Sequence, residues 1–357
     1  QIRRTVTTPK SEMIIPYRAY SSPNDDKPNG KLCVFGEPSS PVMALLCAGY
    51  PDDHTVFLPF AKALSESKGK GNILVGVMCI PGYDDRPEDD LPWQNHPRKG
   101  FSFDETAKAV REAAKALRGV STHKNPELVG IFHDFGVVPG SIWAKQLEQE
   151  AKDNPSVPLK PNKMIFFDVL PQCKGDKTGP TLHQTLYYTY MLVFAFGSLL
   201  QTYVSRYLAV AFVYPIFMLL SIIGILPLYE FDYKLDEFNY KFFSDGGLLR
   251  SVHMMYMYRL VIVESWSKKT RAVITLHENW KAMPILYLYG KKKRSMFHTD
   301  ASLAMLEREE TEKQSLSRVI GIEGAGHWFY VPEQKLEECC KYVADFILAE
   351  NTFVATS

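Results

Sequence analysis

The chain has no excess of charge of either sign. Across 357 residues, 41 lysines and arginines face 40 aspartates and glutamates, leaving a net charge of +1. A protein built to hold nucleic-acid phosphates needs a basic surplus, so nucleic acid is excluded as the main partner. Cysteine is sparse: the six residues include no CxxC pair, which leaves neither a zinc ribbon nor a dithiol redox motif. Three of the six lie in apolar runs, where a thiol packs as a small hydrophobe, and a reducing compartment fits that usage. Histidine shows no HExxH or comparable metal spacing, so no metal and no cofactor is expected. His54, His96 and His298 read as surface or loop residues.

What is present is apolar and regularly punctuated. Hydrophobic residues make up 46% of the chain and charged residues 23%, enough for a large core and an inserted unit. Residues 1 to 30 mix Pro, Ser, Asn and charges without a period and read as an extended N-terminal arm. Then come "KLCVFG", "VMALLCAG", "ILVGVMCI", "ELVGIF", "KMIFFDVL", "ILYLYG" and "SRVIGIEG". These are short apolar runs closed by Gly, Pro or Asp, the pattern of buried strands. "DETAKAVREAAKALRG", with Asp104 as cap and Gly119 as stop, and "EQKLEECCKYVADFILAE" have helical spacing. Alternating strands and helices predict an α/β fold, a mostly parallel sheet with helices on both faces, built from residues 31 to 170 and 273 to 357.

Between 171 and 272 that rhythm is missing, and a strongly hydrophobic helical cap is expected there. No charged residue occurs from Tyr207 to Tyr229 or from Tyr187 to Ser205, with only Arg206 between them. Roughly 20 apolar residues cross a bilayer, and Tyr203, Tyr207, Tyr229 and Tyr233 stand where interfacial rings would be. Pro215, Gly224 and Pro227 interrupt the run. Three readings stay open: membrane-spanning helices, a cap buried around a greasy pocket, and a monotopic cap dipping into one leaflet. The expected partners are a lipophilic small molecule and, through residues 187 to 229, membrane lipid or a membrane protein complex.

The stretch "GIFHDFGVVPG" places Asp134 between an apolar run and a glycine. At a strand-turn-helix elbow the tip residue projects from the carboxyl edge of the sheet, where parallel-sheet proteins keep reactive groups. Small residues are wanted two before, two after and three after the tip, and here they are Phe132, Gly136 and Val137. Asp134 is therefore either a nucleophile on a loosened elbow or a capping residue. "LLCAGYPDD", "IPGYDD" and "EGAGHWFYVPE" also follow predicted strands.

In order and spacing these motifs resemble the α/β-hydrolase superfamily, on its epoxide hydrolase and haloalkane dehalogenase branch, over residues 31 to 170 and 273 to 350. The resemblance matches His133, Asp134, Phe135 and Gly136 to a nucleophile elbow, and Gly326, His327 and Trp328 to a triplet carrying the base. It implies that Asp134 attacks an electrophilic carbon and that His327 activates the water that cleaves the resulting ester. The backbone N–H groups of Phe135 and Tyr50 are implied as the oxyanion hole. Where relatives place an acid after the penultimate strand, this chain has "KKKR", Lys291 to Arg294. By comparison with some dehalogenases, Asp168 is the candidate that orients His327, the alternative being a strand-end cap. "KKKR" reads as a solvated turn, or as a contact for anionic lipid. Phe135 has no ring N–H to hold a halide, so epoxide opening is favoured over dehalogenation, with Tyr187, Tyr188, Tyr190, Tyr203 and Tyr258 as unranked acids. The expected function is an epoxide hydrolase-like hydrolase. The alternative is a catalytically impaired scaffold serving as an accessory subunit of a membrane complex.

Overall fold

The structure, a computed structural model, describes residues 12–19, 28–50, 52–67, 72–83, 97–153, 159–171, 182–222, 247–264, 283–293, 296–311, 316–331 and 334–349. Eight strands form one sheet: β1 (Met13–Tyr17), β2 (Gly30–Phe35), β3 (Val42–Cys47), β4 (Ile73–Met78), β5 (Glu127–His133), β6 (Lys163–Phe167), β7 (Ile285–Gly290) and β8 (Arg318–Ile322). Their spatial order is β1-β2-β4-β3-β5-β6-β7-β8. β2 runs antiparallel to both neighbours and every pairing from β4 to β8 is parallel. Seven of the strands coincide with the seven apolar runs. β1 lies within the stretch read as an arm, where "MIIPY" lengthens the edge of the sheet and carries its proline where no inner ladder depends on the N–H.

Alternation along the strands decides what covers each face. Met43, Leu45 and Cys47 of β3 join one apolar cluster while Val42, Ala44 and Leu46 join the other, as the period of two requires. Helices α2 (Phe103–Val120) and α3 (Val137–Asp153) contribute to the first cluster, and α1 (Leu58–Ser65) and α9 (Leu336–Leu348) to the second. The start of α2 differs from the expectation: Ser102, not Asp104, is the cap. Its hydroxyl accepts from the Glu105 N–H at 3.2 Å while the Glu105 carboxylate accepts from the Ser102 N–H at 2.7 Å. This reciprocal pair satisfies two N–H groups at once, leaving Asp104 inside the first turn. Gly119 does not stop the helix either, which continues through it to Val120.

β6 opens on a buried lysine. The Lys163 ammonium donates to the carbonyls of Phe346, Ile347 and Ala349 at 3.1, 2.7 and 2.7 Å, closing the C-terminal end of α9, where carbonyls lack helical partners. Burial pushes its pKa down, so the bonds must hold the charge. Lys163→Met should lower unfolding free energy by roughly 2–4 kcal/mol, read from urea midpoints, because three carbonyls, two of them buried, lose their donor.

The inserted segment contributes α4 (Leu182–Tyr203), α5 (Arg206–Ile222), α6 (Gly247–Met254) and α7 (Tyr256–Glu264), and α8 (Asp300–Thr311) follows β7; residues 223–246 and 265–282 lie outside the described residues. α4 and α5 form a hairpin, and Gly197 lets them approach: a Cβ there would stand 2.3 Å from a Val213 methyl. α5 passes through Pro215 without ending. Among the described residues no helix is long and apolar enough to cross a membrane, and the last part of the run from Tyr207 to Tyr229 lies outside them.

Candidate active site

The strand order reverses around β3, and the loops leaving the carboxyl ends of β3 and β5 border the crevice where such sheets place ligands. β5 ends in extended His133, after which Asp134 takes φ +48° before α3 begins. Three non-glycine residues among those described have positive φ: Asp134, Leu159 and Asp168 at +66°. That conformation costs a side chain of order 1 kcal/mol or more and needs surrounding structure to hold it.

The packing shows what holds it. A Cβ on Gly136 would lie 2.4 Å from the Cys47 carbonyl, and one on Gly49 2.2 Å from the Phe135 nitrogen, so both glycines are required for the β3 loop to close on the elbow. Phe132, which stands where a small residue is wanted, is fully buried away from the crevice. Gly140 on α3 takes up its bulk, a Cβ at that position falling 2.6 Å from the Phe132 ring. The small residue has moved from strand to helix, and the elbow is tight.

The backbone amides of Phe135 and Tyr50 stand near enough to the Asp134 carboxylate to favour its charged form. Burial nevertheless pushes its pKa up to about 6, the charge of His327 being the chief opposing influence. His327, 3% exposed in the loop after β8, donates from Nδ1 to Oδ2 of Asp168. Asp168 follows the end of β6, its N–H bonded to the Leu288 carbonyl at 2.7 Å and its own carbonyl accepting from the Tyr287 hydroxyl at 3.1 Å. The structure thus brings Asp134, His327, Asp168, Phe135 and Tyr50 to one rim of the sheet.

Lys293 corrects the sequence reading. Lys291 and Lys292 are exposed, Lys291 pairing with Glu323 at 2.6 Å, but the third lysine turns inward. Its ammonium pairs with Oδ1 of Asp168, both side chains being at most 1% exposed, and lies 4.5 Å from the Phe297 ring centroid. Burial would raise the Asp168 pKa, but Lys293 first and His327 second hold it down at about 2. "KKKR" is not a wholly solvated turn, because a buried carboxylate supplies a partner for one of its cations; Arg294 lies outside the described residues.

Other neighbours went unassigned in the sequence. Trp328 Nε1 donates to Oδ2 of Asp52 at 2.5 Å, and burial pushes the Asp52 pKa up to about 7. Burial would also raise Asp53, but Arg250, 2.9 Å away, holds it down. The His133 ring lies 4.4 Å from that of His327, with Nδ1 3.0 Å from the Tyr330 hydroxyl. Burial keeps His133 uncharged, its pKa well below the usual value. His54 and His298 are not free surface groups: His54 Nδ1 lies 3.4 Å from Cys79 Sγ, and His298 Nδ1 lies 2.8 Å from the Tyr287 hydroxyl. His96 lies outside the described residues.

Aromatic rings from the insertion roof the elbow. The Tyr258 centroid is 4.4 Å from that of Phe135 and 5.2 Å from that of Tyr50, with Phe194 at 4.9 Å and Tyr190 at 6.0 Å. Of the five tyrosines left unranked, Tyr190 and Tyr258 are here, Tyr203 is 76% exposed on the outside, and the side chains of Tyr187 and Tyr188 lie outside the described ones. Among the described residues no group of His, Cys, Asp or Glu is placed to hold a metal ion.

The eight-stranded order, the antiparallel second strand and the elbow after β5 define an α/β-hydrolase fold. No family model matches the sequence and no curated protein is significantly similar to it. Solved structures do match. An epoxide hydrolase solved without ligand is 17% identical with a TM-score of 0.53, covering 94% of this chain and 98% of its own. A haloalkane dehalogenase loop variant from Bradyrhizobium elkanii is 15% identical with a TM-score of 0.56, covering 94% and 96%. An epoxide hydrolase from Vigna radiata is 14% identical with a TM-score of 0.55, covering 94% and 97%. At these identities the likeness establishes the fold.

Proposed function

We propose that this chain is a hydrolase that uses Asp134 as a nucleophile on a lipophilic electrophile, an epoxide fitting best. An Asp134 oxygen attacks a ring carbon, the C–O bond breaks, and the alkoxide takes a proton from a tyrosine of the roof, for which Tyr258 and Tyr190 are the candidates. His327 then removes a proton from water, and the hydroxide adds to the Asp134 ester carbonyl. The N–H groups of Phe135 and Tyr50 hold the developing oxyanion until the intermediate collapses: the second alkoxide takes the proton from the His327 imidazolium and leaves as the diol, and the proton left on Asp134 returns to the tyrosinate. Asp168 keeps His327 in the tautomer this requires. The observation that carries the reading is the left-handed backbone of Asp134, a strained position beside the backbone amides of Phe135 and Tyr50.

The chemistry predicts where solvent oxygen goes. Single turnover of a lipophilic epoxide in heavy-oxygen water should place one label in the peptide containing Asp134. Diol formation that left this peptide unlabelled would rule out the ester. A second reading, an impaired hydrolase scaffold serving as an accessory subunit of a membrane complex, draws on the rings of Tyr50, Phe135 and Tyr258 that crowd the elbow. A folded protein with no turnover on a panel of epoxides and esters would select it.

A further inference from the structure

Eleven large apolar side chains are strongly exposed among the described residues, and nine of them belong to the α4–α5 hairpin. On α5 the outward positions are Tyr207, Leu208, Phe212, Met218 and Leu219, with Pro215 between them. Their spacing is that of one helix face, so the side that ordinarily carries charge carries none. On α4, Leu192 and Phe196 continue the surface, and the Phe196 and Phe212 rings meet at 5.1 Å. Monomeric proteins seldom leave so large a contiguous apolar area in water. The inner side of α4 is already used, Tyr190 and Phe194 lying in the ring cluster at the elbow.

The rim indicates what covers this face. The chain turns between the helices at Val204 and Ser205, and the turn is flanked by Tyr203 and Tyr207, each 76% exposed. Beside it the segment carrying exposed Arg98 and Lys99 is fastened to α4 by Gln201 and Thr202, whose side chains donate to the Arg98 carbonyl at 3.1 and 3.3 Å. Arg206 is close enough to Arg98 for their charges to repel. No acidic residue occurs anywhere from 187 to 229. An apolar ridge, exposed tyrosines and the basic residues Arg98, Lys99 and Arg206 beside them are the composition of a surface that enters one leaflet of an anionic bilayer.

We propose that the α4–α5 hairpin is a monotopic membrane anchor that inserts its outer face into a negatively charged leaflet. Bound in this way, α4 stands between lipid and the roof of the elbow.

The test is flotation of the full chain with vesicles of phosphatidylcholine alone and with about a third phosphatidylserine. The chain should float with the anionic vesicles, and Leu208→Glu/Phe212→Glu should reduce the bound fraction at least tenfold. Arg98→Gln/Lys99→Gln should weaken binding on the order of 25-fold on anionic vesicles only, each of the two charges near the surface being worth roughly fivefold. Both variants alter exposed side chains, so an unchanged melting temperature shows that the fold is intact. A folded wild-type chain that ignores both vesicles, or binding indifferent to Leu208→Glu/Phe212→Glu, overturns the proposal. So does a dimer in sedimentation that the same double variant dissociates while vesicles bind nothing, since the face would then belong to a second copy. Neither result depends on turnover.

Discussion

Asp134→Asn should abolish turnover and, at neutral pH, make the protein harder to unfold. The first effect follows from removing the attacking oxygen, a loss on the order of 10⁴-fold or more for a nucleophile acting within a unit. The second follows from the cost of the carboxylate. Its pKa is raised by burial to about 6 from an unfolded value of 3.8, so the folded state holds the proton more tightly. The stability contributed is fully present below pH 3.8 and lost as the pH rises through about 6. At pH 7.5 the charge therefore costs on the order of 1–3 kcal/mol. Asparagine removes the charge, and it is among the residues that best tolerate a left-handed φ, so the elbow keeps its path. Urea unfolding at pH 4 and pH 7.5 checks this: the variant should match wild type at the lower pH and exceed it at the higher. A variant less stable than wild type by the same amount at both values would mean that the carboxylate is not held against its preference. Asp52, pushed up to about 7, acts in the same direction, which is why the measurement is the difference between the two proteins.

Much of this was legible in the sequence because strands buried on both faces read as short apolar runs. Seven of the eight strands could be placed from that signal alone, and Asp134, His327 and Asp168 stand at the ends of β5, β8 and β6. What was not legible depends on contacts between residues distant in the chain. Phe132 looks like a defect until Gly140, eight residues later, is seen to face its ring. Lys293 looks like one cation among four until the fold brings β6 beside β7 and puts Asp168 against it. "SFDE" carries a local capping signal that points to Ser102 rather than Asp104. That signal is local and needs no tertiary contact to be read.

Lys293→Met should destabilise the protein more than any other substitution of a lysine in the "KKKR" run. Asp168 is fully buried, with one carboxylate oxygen on Lys293 and the other on His327. Removing one partner of a buried ion pair strands the other charge in a medium that solvates it poorly, at a cost of about 3–5 kcal/mol. Lys291→Met, removing a solvent-exposed pair with Glu323, should cost less than about 1 kcal/mol. Acid unfolding separates the two further. Because the folded pKa of Asp168 is held down at about 2, its contribution is present above the unfolded value of 3.8 and lost only as the pH falls through about 2. Without Lys293 burial is opposed by His327 alone, so the folded pKa rises and the loss begins at a higher pH. A Lys293→Met protein as stable as wild type, with an unmoved acid transition, would mean that this cation is not what holds Asp168 ionised. His327 would then be left as the sole partner of the carboxylate that orients it.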